Sequence, residues 1–581
     1  MRLIQFIVLL VYVSFLSAQE QAVDFTRIEA EIFPVKEHKE IRAQAVYHFS
    51  LKEKVDTIFL DAHNMDFLNV KLNGNKIAYV NAIALGKLYF KAPKKLGNHS
   101  LIIEYIAKPR QTVYFINGDA ALGSKQIWTQ GQGKYTSHWL PSLDDMNDKI
   151  EFDLSIIADS KDRVIANGTL LKKQNFSRPE AFLSPSEVRQ MTPKTVYKFD
   201  MKYPMSSYLA AFVIGDFDKK DLKSASGVPI ELYYEPKDSI KVEPTYRYTK
   251  EIFDFLEHEI GVSYPWQNYK QVPVQDFLYA GMENTSATVF SNQYFIDSTA
   301  FVDKNYVNVN AHELTHQWFG NLVTEVSSEH HWLHEGFATY YAYLTEKHLF
   351  GDEHFYWKLY STANTLKNIS DNEGGEAINN TNAGSLTFYE KGAWALVMLK
   401  DFVGDKAFKE AVKSYLQKHQ FKNVSISDFL TEVENHTNSS LEDFRAKWIT
   451  SEIFPWEEVK EKLQQASPSL RLVFEIEDQF IINQSDDINF DVYWDKTTST
   501  NLKAHIIHKY HRFLPNTLLN KAFLSKDIKL RQALSNPSFA FSETRLGDKA
   551  LVHNFETLLK DKSYMTIELS LIHISEPTRP Y

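Results

Sequence analysis

The sequence predicts a multidomain α+β protein in which an antiparallel β domain precedes a mainly helical region. Three observations lead to this prediction. The 581 residues exceed what one hydrophobic core organises. Short apolar runs with strand spacing fill the first part of the chain, and the apolar spacing becomes helical from about Tyr248.

The composition describes a folded chain and excludes several functions. Hydrophobic residues make up 44% and charged residues 24% of the chain, a balance typical of globular proteins. The net charge is −10 without any basic tract, so nucleic acid is not an expected partner. The chain has no Cys, which excludes disulfides and thiol chemistry.

Residues 1–18 are predicted to be a secretory signal peptide. Arg2 precedes a mainly apolar run that ends at Leu16, and a small residue, Ala18, precedes polar Gln19. We expect cleavage after Ala18 and an exported, periplasmic or secreted product. An uncleaved anchor is the alternative, but the run is shorter than the ~20 residues that span a bilayer. No later segment is long and apolar enough, so no membrane span is expected after cleavage.

The β domain is predicted over residues 19–220. The runs TIFLDA, FLNVKL, LIIEYIA and FDLSII have strand spacing. Asn73 followed by Gly74 provides the positive φ angles of a tight hairpin.

A mainly helical domain is predicted over residues 221–455, where Tyr248–Ile260 gathers its apolar residues on one side. Residues 456–500 are ambiguous and are predicted to be a linker region with some strand character. Residues 501–568 again have helical spacing.

The end of the chain breaks this pattern. Leu569–Arg579 resembles the translation of a sequencing adapter. We expect the natural coding sequence to end near Glu568, residues 569–581 to be an artefact, and the C-terminal helical domain to be incomplete. A real exposed tail is the alternative.

The segment HELTH, in a helical context, carries the first sign of chemistry. His312 and His316 are four residues apart, so both imidazoles project from one helix face and can bind one metal ion. Glu313 is adjacent to that face, where it can take a proton from a water that the metal activates. This five-residue pattern is suggestive and not decisive by itself.

A third ligand would complete a catalytic zinc site. Glu335 follows in the helix-like stretch WLHEGFATYYAYL and would give a His₂Glu site for one zinc ion, with one position left for water. The nearby residues His330, His331 and His334 are rival ligands. A metzincin would need a His at position 322, which holds Leu322, so that class is excluded.

These residues resemble the gluzincin aminopeptidases, the family of aminopeptidase N and leukotriene hydrolase. The resemblance includes AGMEN at Ala280–Asn284, SLTFYEKGAWAL, PMSSYLAAFVIGDF and TQGQGKYTSHWLPSLDD, and extends to about Glu568. It implies a β domain, a thermolysin-like catalytic domain, and a helical C-terminal region of HEAT or armadillo type that closes over the cleft.

The resemblance also assigns roles to residues outside the metal motif. It implies that Glu283 binds the free α-amine of a peptide, and the motif places Gly281, Met282 and Asn284 with it as substrate-binding residues. Ala280 stands where the family has its first Gly, which leaves the fine backbone contacts to substrate open.

Two further roles follow from the same resemblance. Tyr389 is expected to donate a hydrogen bond to the tetrahedral intermediate, and Gln132 is expected to hold the amine, with Gln130 as its rival.

The predicted function is that of a zinc aminopeptidase, which hydrolyses the N-terminal bond of peptides that have a free amine, with Glu313 as general base. A non-catalytic peptide-binding protein of the same fold and a bifunctional epoxide hydrolase are the alternatives. The sequence leaves residue preference and oligomeric state open.

Overall fold

The structure is a computed structural model, and it describes residues 22–116, 125–483, 488–535 and 548–575. The predicted signal peptide, residues 1–18, lies outside the described residues, as does the end of the predicted artefact from residue 576 onward. Within the described ranges, no helix is long and apolar enough to cross a membrane.

The first region of the chain folds into three β-sheets. Its strands are β1 (Val23–Val35), β2 (Glu40–Leu51), β3 (Thr57–Asp61), β4 (Met65–Leu72), β5 (Asn75–Lys76), β6 (Tyr79–Ala82), β7 (Lys87–Lys91), β8 (Gly97–Ala107), β9 (Val113–Ile116), β10 (Gln126–Thr129), β11 (Lys149–Asp159), β12 (Arg163–Ala166), β13 (Thr169–Asn175), β14 (Lys194–Asp200), β15 (Met205–Ser206) and β16 (Phe212–Gly215). The largest sheet has the order β13-β14-β11-β1-β2-β8-β4-β5, with β15 paired to β11. The smaller sheets are β12-β16-β10-β9 and β3-β7-β6.

The prediction of a β domain is confirmed, with one exception in strand direction. The described pairs in these sheets are antiparallel except β1 with β11, which is parallel. The predicted hairpin joins β4 to β5, with φ of 51° at Asn73 and 80° at Gly74. Both angles lie in the left-handed region that a tight hairpin needs.

A second set of strands lies in the catalytic region. It comprises β17 (Asp218–Lys223), β18 (Pro229–Tyr234), β19 (Tyr269–Val274), β20 (Gly281–Met282), β21 (Ala287–Ser291), β22 (Val323–Glu325) and β23 (Lys422–Val424). The first five form one sheet with the order β17-β18-β19-β21-β20, and β22 pairs with β23. Sequence spacing missed β19 and β21 because both are buried along their whole length, so apolar and polar residues do not alternate.

Helices account for most of the remaining described chain. They are α1 (Pro185–Gln190), α2 (Val242–Tyr246), α3 (Thr249–Ile260), α4 (Val307–Thr315), α5 (Trp332–Glu373), α6 (Gly392–Val403), α7 (Asp405–His419), α8 (Ile426–Asn435), α9 (Glu442–Phe444), α10 (Trp456–Ala466), α11 (Pro468–Asn483), α12 (Phe490–Lys496), α13 (Thr500–Tyr510), α14 (Asn516–Phe523), α15 (Ile528–Leu534), α16 (Lys549–Thr557) and α17 (Tyr564–Ser575). The long helix α5 has a kink at Gly351. Two elements carry the metal motif, because α4 contains most of HELTH and α5 begins at WLHEG.

The prediction of a linker with strand character over residues 456–500 is wrong. Three helices, α10 to α12, occupy this stretch. The alternation of Leu472, Phe474 and Ile476 resembles a strand, but Leu470, Val473 and Phe474 are fully buried at helical spacing. Packing of this helical face against the core therefore decides the structure of the segment.

The C-terminal helices contact the catalytic region close to the metal motif. Asp303, which precedes α4, accepts hydrogen bonds from Nε2 of Gln532 at 2.7 Å, from Oγ of Ser563 at 2.6 Å and from the backbone N–H of Met565 at 3.0 Å. The predicted boundary at Glu568 falls within α17. The described C-terminal region is therefore helical and is joined to the catalytic region through the carboxylate of Asp303.

Candidate metal centre and active site

Three side chains from α4 and α5 converge on one point. His312 lies in the last turn of α4, His316 follows that helix directly, and Glu335 lies in the first turn of α5. The Nε2 atoms of the two histidines are 3.1 Å apart. Oε2 of Glu335 lies 3.1 Å from Nε2 of His312 and 3.3 Å from Nε2 of His316.

These spacings match what a tetrahedral zinc ion requires. Bonds of ~2.0–2.1 Å to nitrogen and oxygen place neighbouring ligand atoms ~3.3 Å apart. The three atoms form a group that could hold a metal ion. The structure thus brings His312, His316 and Glu335 together as predicted, and their chemistry fits zinc.

A backbone contact orients one of the histidines. The Nδ1–H of His316 donates to the carbonyl oxygen of Phe319 at 2.9 Å. This hydrogen bond leaves the lone pair of Nε2 facing His312 and Glu335, as is usual for a histidine that binds a metal. The ring of His312 lies parallel to that of Tyr389, with centroids 5.5 Å apart.

The charges of the three ligands depend on one another in the metal-free chain. Burial opposes the charge of Glu335, but the charge of His316 and hydrogen bonds from both histidines hold the pKa of Glu335 well below its usual value. Burial likewise opposes the charge of His316, but Glu335 raises its pKa to about 10. For His312, burial prevails and lowers the pKa.

Glu313 lies beside this group, on the face of α4 that meets strand β20. Its side chain is only 6% exposed, and its Oε1 would be 2.4 Å from a Cβ at position 281. Gly281 is therefore needed to leave room for this carboxylate. Oε2 is buried and has no hydrogen-bond partner among the described residues, as suits a group that receives a proton from outside the protein.

Burial raises the pKa of Glu313 well above its ordinary value. The positive charge of His316 acts in the opposite direction, whereas the charges of Glu283 and Glu335 add to the increase. A carboxylate with a raised pKa in a dry site holds a proton more readily, which is the property required of a general base.

Tyr389 brings a neutral donor to the same place. It lies in the π-helical turn Thr387–Lys391, just before α6, and its hydroxyl donates to Glu335. Burial raises the pKa of Tyr389 above its ordinary value, and the charges of Glu335, Glu283 and Glu313 raise it further. The hydroxyl therefore keeps its proton and is available as a hydrogen-bond donor.

Residues from strands and loops form the opposite side of the site. We call His312, Glu313, His316, Glu335 and Tyr389 the helix wall. We call Gln130, Gln132, Tyr208, Gly281, Met282 and Glu283 the strand wall.

Glu283, which directly follows β20, is fixed through its backbone. Its carbonyl oxygen accepts hydrogen bonds from Nδ2 of Asn321 at 2.7 Å and from Nε2 of Gln317 at 3.1 Å. The hydroxyl of Tyr208 donates to its carboxylate. The negative charge of Glu283 raises the pKa of four residues of the helix wall. These residues are His312, Glu313, His316 and Tyr389. The two walls are therefore close enough to act on one substrate.

The two glutamines of the strand wall differ in burial. Gln130 is only 5% exposed, and its Nε2 donates to Oε1 of Gln132 at 3.2 Å and lies 3.9 Å from Sδ of Met282. Its Oε1 accepts the backbone N–H of Gln132 at 3.1 Å. Gln132 is half-buried. Gln130 thus supports Gln132, which has the more accessible side chain.

Asn284 directly follows Glu283, and its role in substrate binding stays a prediction. It is fully buried, and its Nδ2 donates to the carbonyl oxygen of Leu209 at 3.3 Å. The Nδ2 contact ties the end of the AGMEN segment to the N-terminal region, whereas Oδ1 of Asn284 is buried and has no hydrogen-bond partner among the described residues.

The rival histidines are not members of the group formed by His312, His316 and Glu335. His331 and His334 both contact Glu325. Nδ1 of His330 accepts the backbone N–H of Ile426 at 3.3 Å. None of the three belongs to the group formed by the described residues around Glu335 Oε2.

Sequence reasoning missed two residues near the site, Tyr208 and Glu325. Tyr208 lies within PMSSYLAAFVIGDF, which had only marked the end of the β domain. Burial raises the pKa of Tyr208, as do the charges of Glu283, Glu325 and Glu335. Tyr208 comes from a short element far along the chain from Glu283, whereas Glu325 lies only six residues before its partner His331 in a spacing that sequence reasoning did not use.

Comparison with known families agrees with this arrangement. The Peptidase M1 N-terminal domain matches residues 26–209, and the Peptidase family M1 domain matches residues 245–448. The chain belongs to peptidase family M1, whose members include the gluzincin aminopeptidases.

Curated relatives carry aminopeptidase names. Bovine glutamyl aminopeptidase is 27% identical over 333 residues, which are 54% of this chain and 33% of that protein. Leucyl aminopeptidase of Saccharolobus solfataricus is 27% identical over 416 residues, 69% of this chain and 50% of that protein. The chain spans between a third and a half of the length of these relatives.

The fold also resembles a solved structure. An M1 zinc metallopeptidase from Deinococcus radiodurans has a TM-score of 0.62 and 19% identity, over 75% of this chain and 95% of that one. The shared part is the β-rich N-terminal domain with the helical region that follows it.

Proposed function

We propose that this chain is a zinc aminopeptidase that removes N-terminal residues from peptides. The observation that carries the proposal is the position of Glu283. Its carboxylate faces a group with the spacing of a His₂Glu zinc site, and its charge acts on Glu313 and Tyr389. A fixed carboxylate at this place suits the ammonium of a peptide N-terminus.

The residues of the helix wall supply the hydrolytic chemistry. His312, His316 and Glu335 would hold zinc, which in a three-ligand site keeps a position for water, lowers the pKa of that water toward ~7 and polarises a carbonyl group. Glu313 accepts the proton of the attacking water at its carboxylate. It then gives this proton to the nitrogen of the leaving amine, so one residue acts first as base and then as acid.

Tyr389 and Glu283 act on the two ends of the first residue of the substrate. The hydroxyl of Tyr389 donates to the carbonyl oxygen as negative charge develops there, a contact commonly worth ~100- to 1,000-fold in rate. Glu283 pairs with the α-ammonium and fixes the first peptide bond at the metal. Blocked N-termini and internal segments lack this charge, which makes the site specific for exopeptidase cleavage.

The names of related proteins and the ligand bound in one related structure support peptides as the substrate class. The curated relatives are named aminopeptidases. A mutant of the Deinococcus radiodurans M1 zinc metallopeptidase was solved with the peptide Tyr-Ser-Ala bound.

Hydrolysis of aminoacyl-anilides tests the proposal. The full chain, loaded with zinc, should hydrolyse substrates with a free amine and leave the N-acetylated forms of the same substrates intact. Removal of the metal with a chelator should abolish hydrolysis, and added zinc should restore it.

Two results would contradict the proposal. Equal cleavage of free and acetylated substrates would show that the site does not require a free amine. A chain that binds zinc and peptide without any turnover would instead be a non-catalytic peptide-binding protein.

Two finer features are also proposed. Residues 1–18 support export of the chain, and N-terminal sequencing of the protein from a fractionated culture should give Gln19 as the first residue of the exported form. The paired helices after Pro455, such as α13 packed on α15, support a C-terminal region of HEAT or armadillo type.

A further inference from the structure

A second group of metal-binding side chains lies next to the first. We call Glu325, His331 and His334 the second cluster. Glu325 ends strand β22, His331 directly precedes α5, and His334 lies in the first turn of α5. The turn of the chain between β22 and α5 therefore brings the carboxylate onto the two imidazoles.

The ligand atoms of this cluster are close enough for a single ion. One nitrogen from each histidine and one carboxylate oxygen all lie within 4.8 Å of one another. Oε1 of Glu325 is 2.9 Å from Nδ1 of His331, and Oε2 is in close contact with Nε2 of His334. Glu325 and His334 are 2% and 3% exposed, whereas the side chain of His331 is 32% exposed and leaves a path from solvent.

Two members of the cluster meet at a single nitrogen of His334. The backbone N–H of Glu325 points to Nε2 of His334 at 3.0 Å. Oε2 of Glu325 is buried and in close contact with the same nitrogen. A carboxylate oxygen and an imidazole nitrogen thus meet in a buried place, and a cation bound between them would satisfy both.

The buried ammonium group of Lys149, on which the charge of Glu325 acts, donates its hydrogen bonds to other groups. Nζ of Lys149 donates to the carbonyl oxygen of Asn321 at 3.1 Å and to Oγ1 of Thr324 at 2.6 Å. These hydrogen bonds hold Lys149 beside β22, and the carboxylate of Glu325 keeps its oxygens directed at the two histidines.

A histidine links the second cluster to the first metal group. Nδ1 of His331 faces Glu325, and its Nε2 lies 3.6 Å from Oε1 of Glu335. A histidine that binds a metal through one nitrogen commonly directs the other toward a carboxylate. Oε2 of Glu335 faces the first group, so the two groups use different atoms and can be filled together.

We propose that the second cluster is a separate site for a divalent transition-metal cation, with zinc as the ion that suits its two nitrogens and one oxygen. Water from the exposed side of His331 completes the coordination. The site goes beyond the proposed aminopeptidase activity and does not depend on it.

Metal stoichiometry tests this site without any assay of activity. The full chain is stripped of metal, titrated with Zn²⁺, freed of excess ion by gel filtration and analysed for zinc per chain. Two equivalents are expected for the wild type and one for Glu325→Gln and His334→Gln. His330→Gln is the matched control, because His330 is a neighbouring histidine outside the cluster, and it should keep two equivalents.

The wild-type titration by itself can overturn the proposal, whether or not the variants fold. A single equivalent in the wild type would show that the second cluster is only a group of ion pairs. Two equivalents retained by both Glu325→Gln and His334→Gln, with unchanged melting temperatures, would place the second ion elsewhere and also overturn it.

Discussion

The two walls of the site are built in different ways. The helix wall takes its residues from α4, α5 and the turn before α6, and its chemistry depends on spacing along helices. The strand wall takes Gln130, Tyr208 and Glu283 from three segments that are far apart in the chain, joined by hydrogen bonds such as that of Tyr208 to Glu283.

This difference suggests a division of work. The helix wall holds the groups that act on the scissile bond, and the strand wall holds the groups that recognise the amine. Changes in the helix wall should therefore lower kcat, and changes in the strand wall should mainly alter KM and the choice between free and blocked substrates.

Tyr389→Phe should have the largest effect of the three changes that compare the walls. Without its hydroxyl, the developing oxyanion loses a donor, so kcat should fall ~100- to 1,000-fold. KM and zinc content should stay nearly constant, because the phenyl ring keeps its place beside His312. Steady-state kinetics with an aminoacyl-anilide measure this split.

Tyr246→Phe is the matched control for that change. The hydroxyl of Tyr246 is buried and donates to the carbonyl oxygen of Tyr233 at 2.8 Å, within the fold. Its loss should lower stability by ~1 kcal/mol and leave kcat unchanged. A kcat within tenfold of wild type for Tyr389→Phe would place the oxyanion donor elsewhere.

Glu283→Gln should have the next largest effect, and it should be selective. A hydrogen bond to a charged group contributes ~1.5–3 kcal/mol, so kcat/KM for free-amine substrates should fall ~10- to 100-fold. The residual rate on acetylated substrates should not change. The backbone anchors to Asn321 and Gln317 do not involve the side chain, so the strand should keep its position. An equal loss of kcat/KM on both substrate types would show that Glu283 does not bind the amine.

Gln132→Ala should have the smallest effect. Loss of one neutral hydrogen bond of ~0.5–1.5 kcal/mol should raise KM ~2- to 10-fold for free-amine substrates. Gln130→Ala should instead lower the melting temperature, because this buried side chain holds Gln132 and contacts Met282. A larger increase in KM for Gln130→Ala, at an unchanged melting temperature, would reverse the two roles.

The fold was predictable where local spacing and packing agree. The hairpin at Gly74 and helix α3 follow from turn chemistry and from helical spacing. The helices over residues 456–500 were missed because part of their sequence alternates like a strand. The buried strands β19 and β21 were missed because their apolar and polar residues do not alternate. In both cases tertiary burial decided the element, and burial depends on partners far along the chain.

The site shows the same limit. His312 and His316 are recognisable because four residues bring a side chain back to the same helix face. Glu283 could be placed only through resemblance to a family. Tyr208 could not be placed at all, because contacts between distant segments position it and no spacing records such contacts. Glu325 was missed although its partners His331 and His334 follow it closely in the sequence.

The most direct test of the central claim is the zinc content and turnover of Glu313→Gln. Glu313 is not one of the three ligands, and glutamine keeps its size against Gly281, so the variant should bind as much zinc as the wild type. Without a base to take the proton, turnover of aminoacyl-anilides should fall ~100- to 10,000-fold. Near-normal turnover at full zinc content would contradict the assignment of Glu313 as the general base of the helix wall.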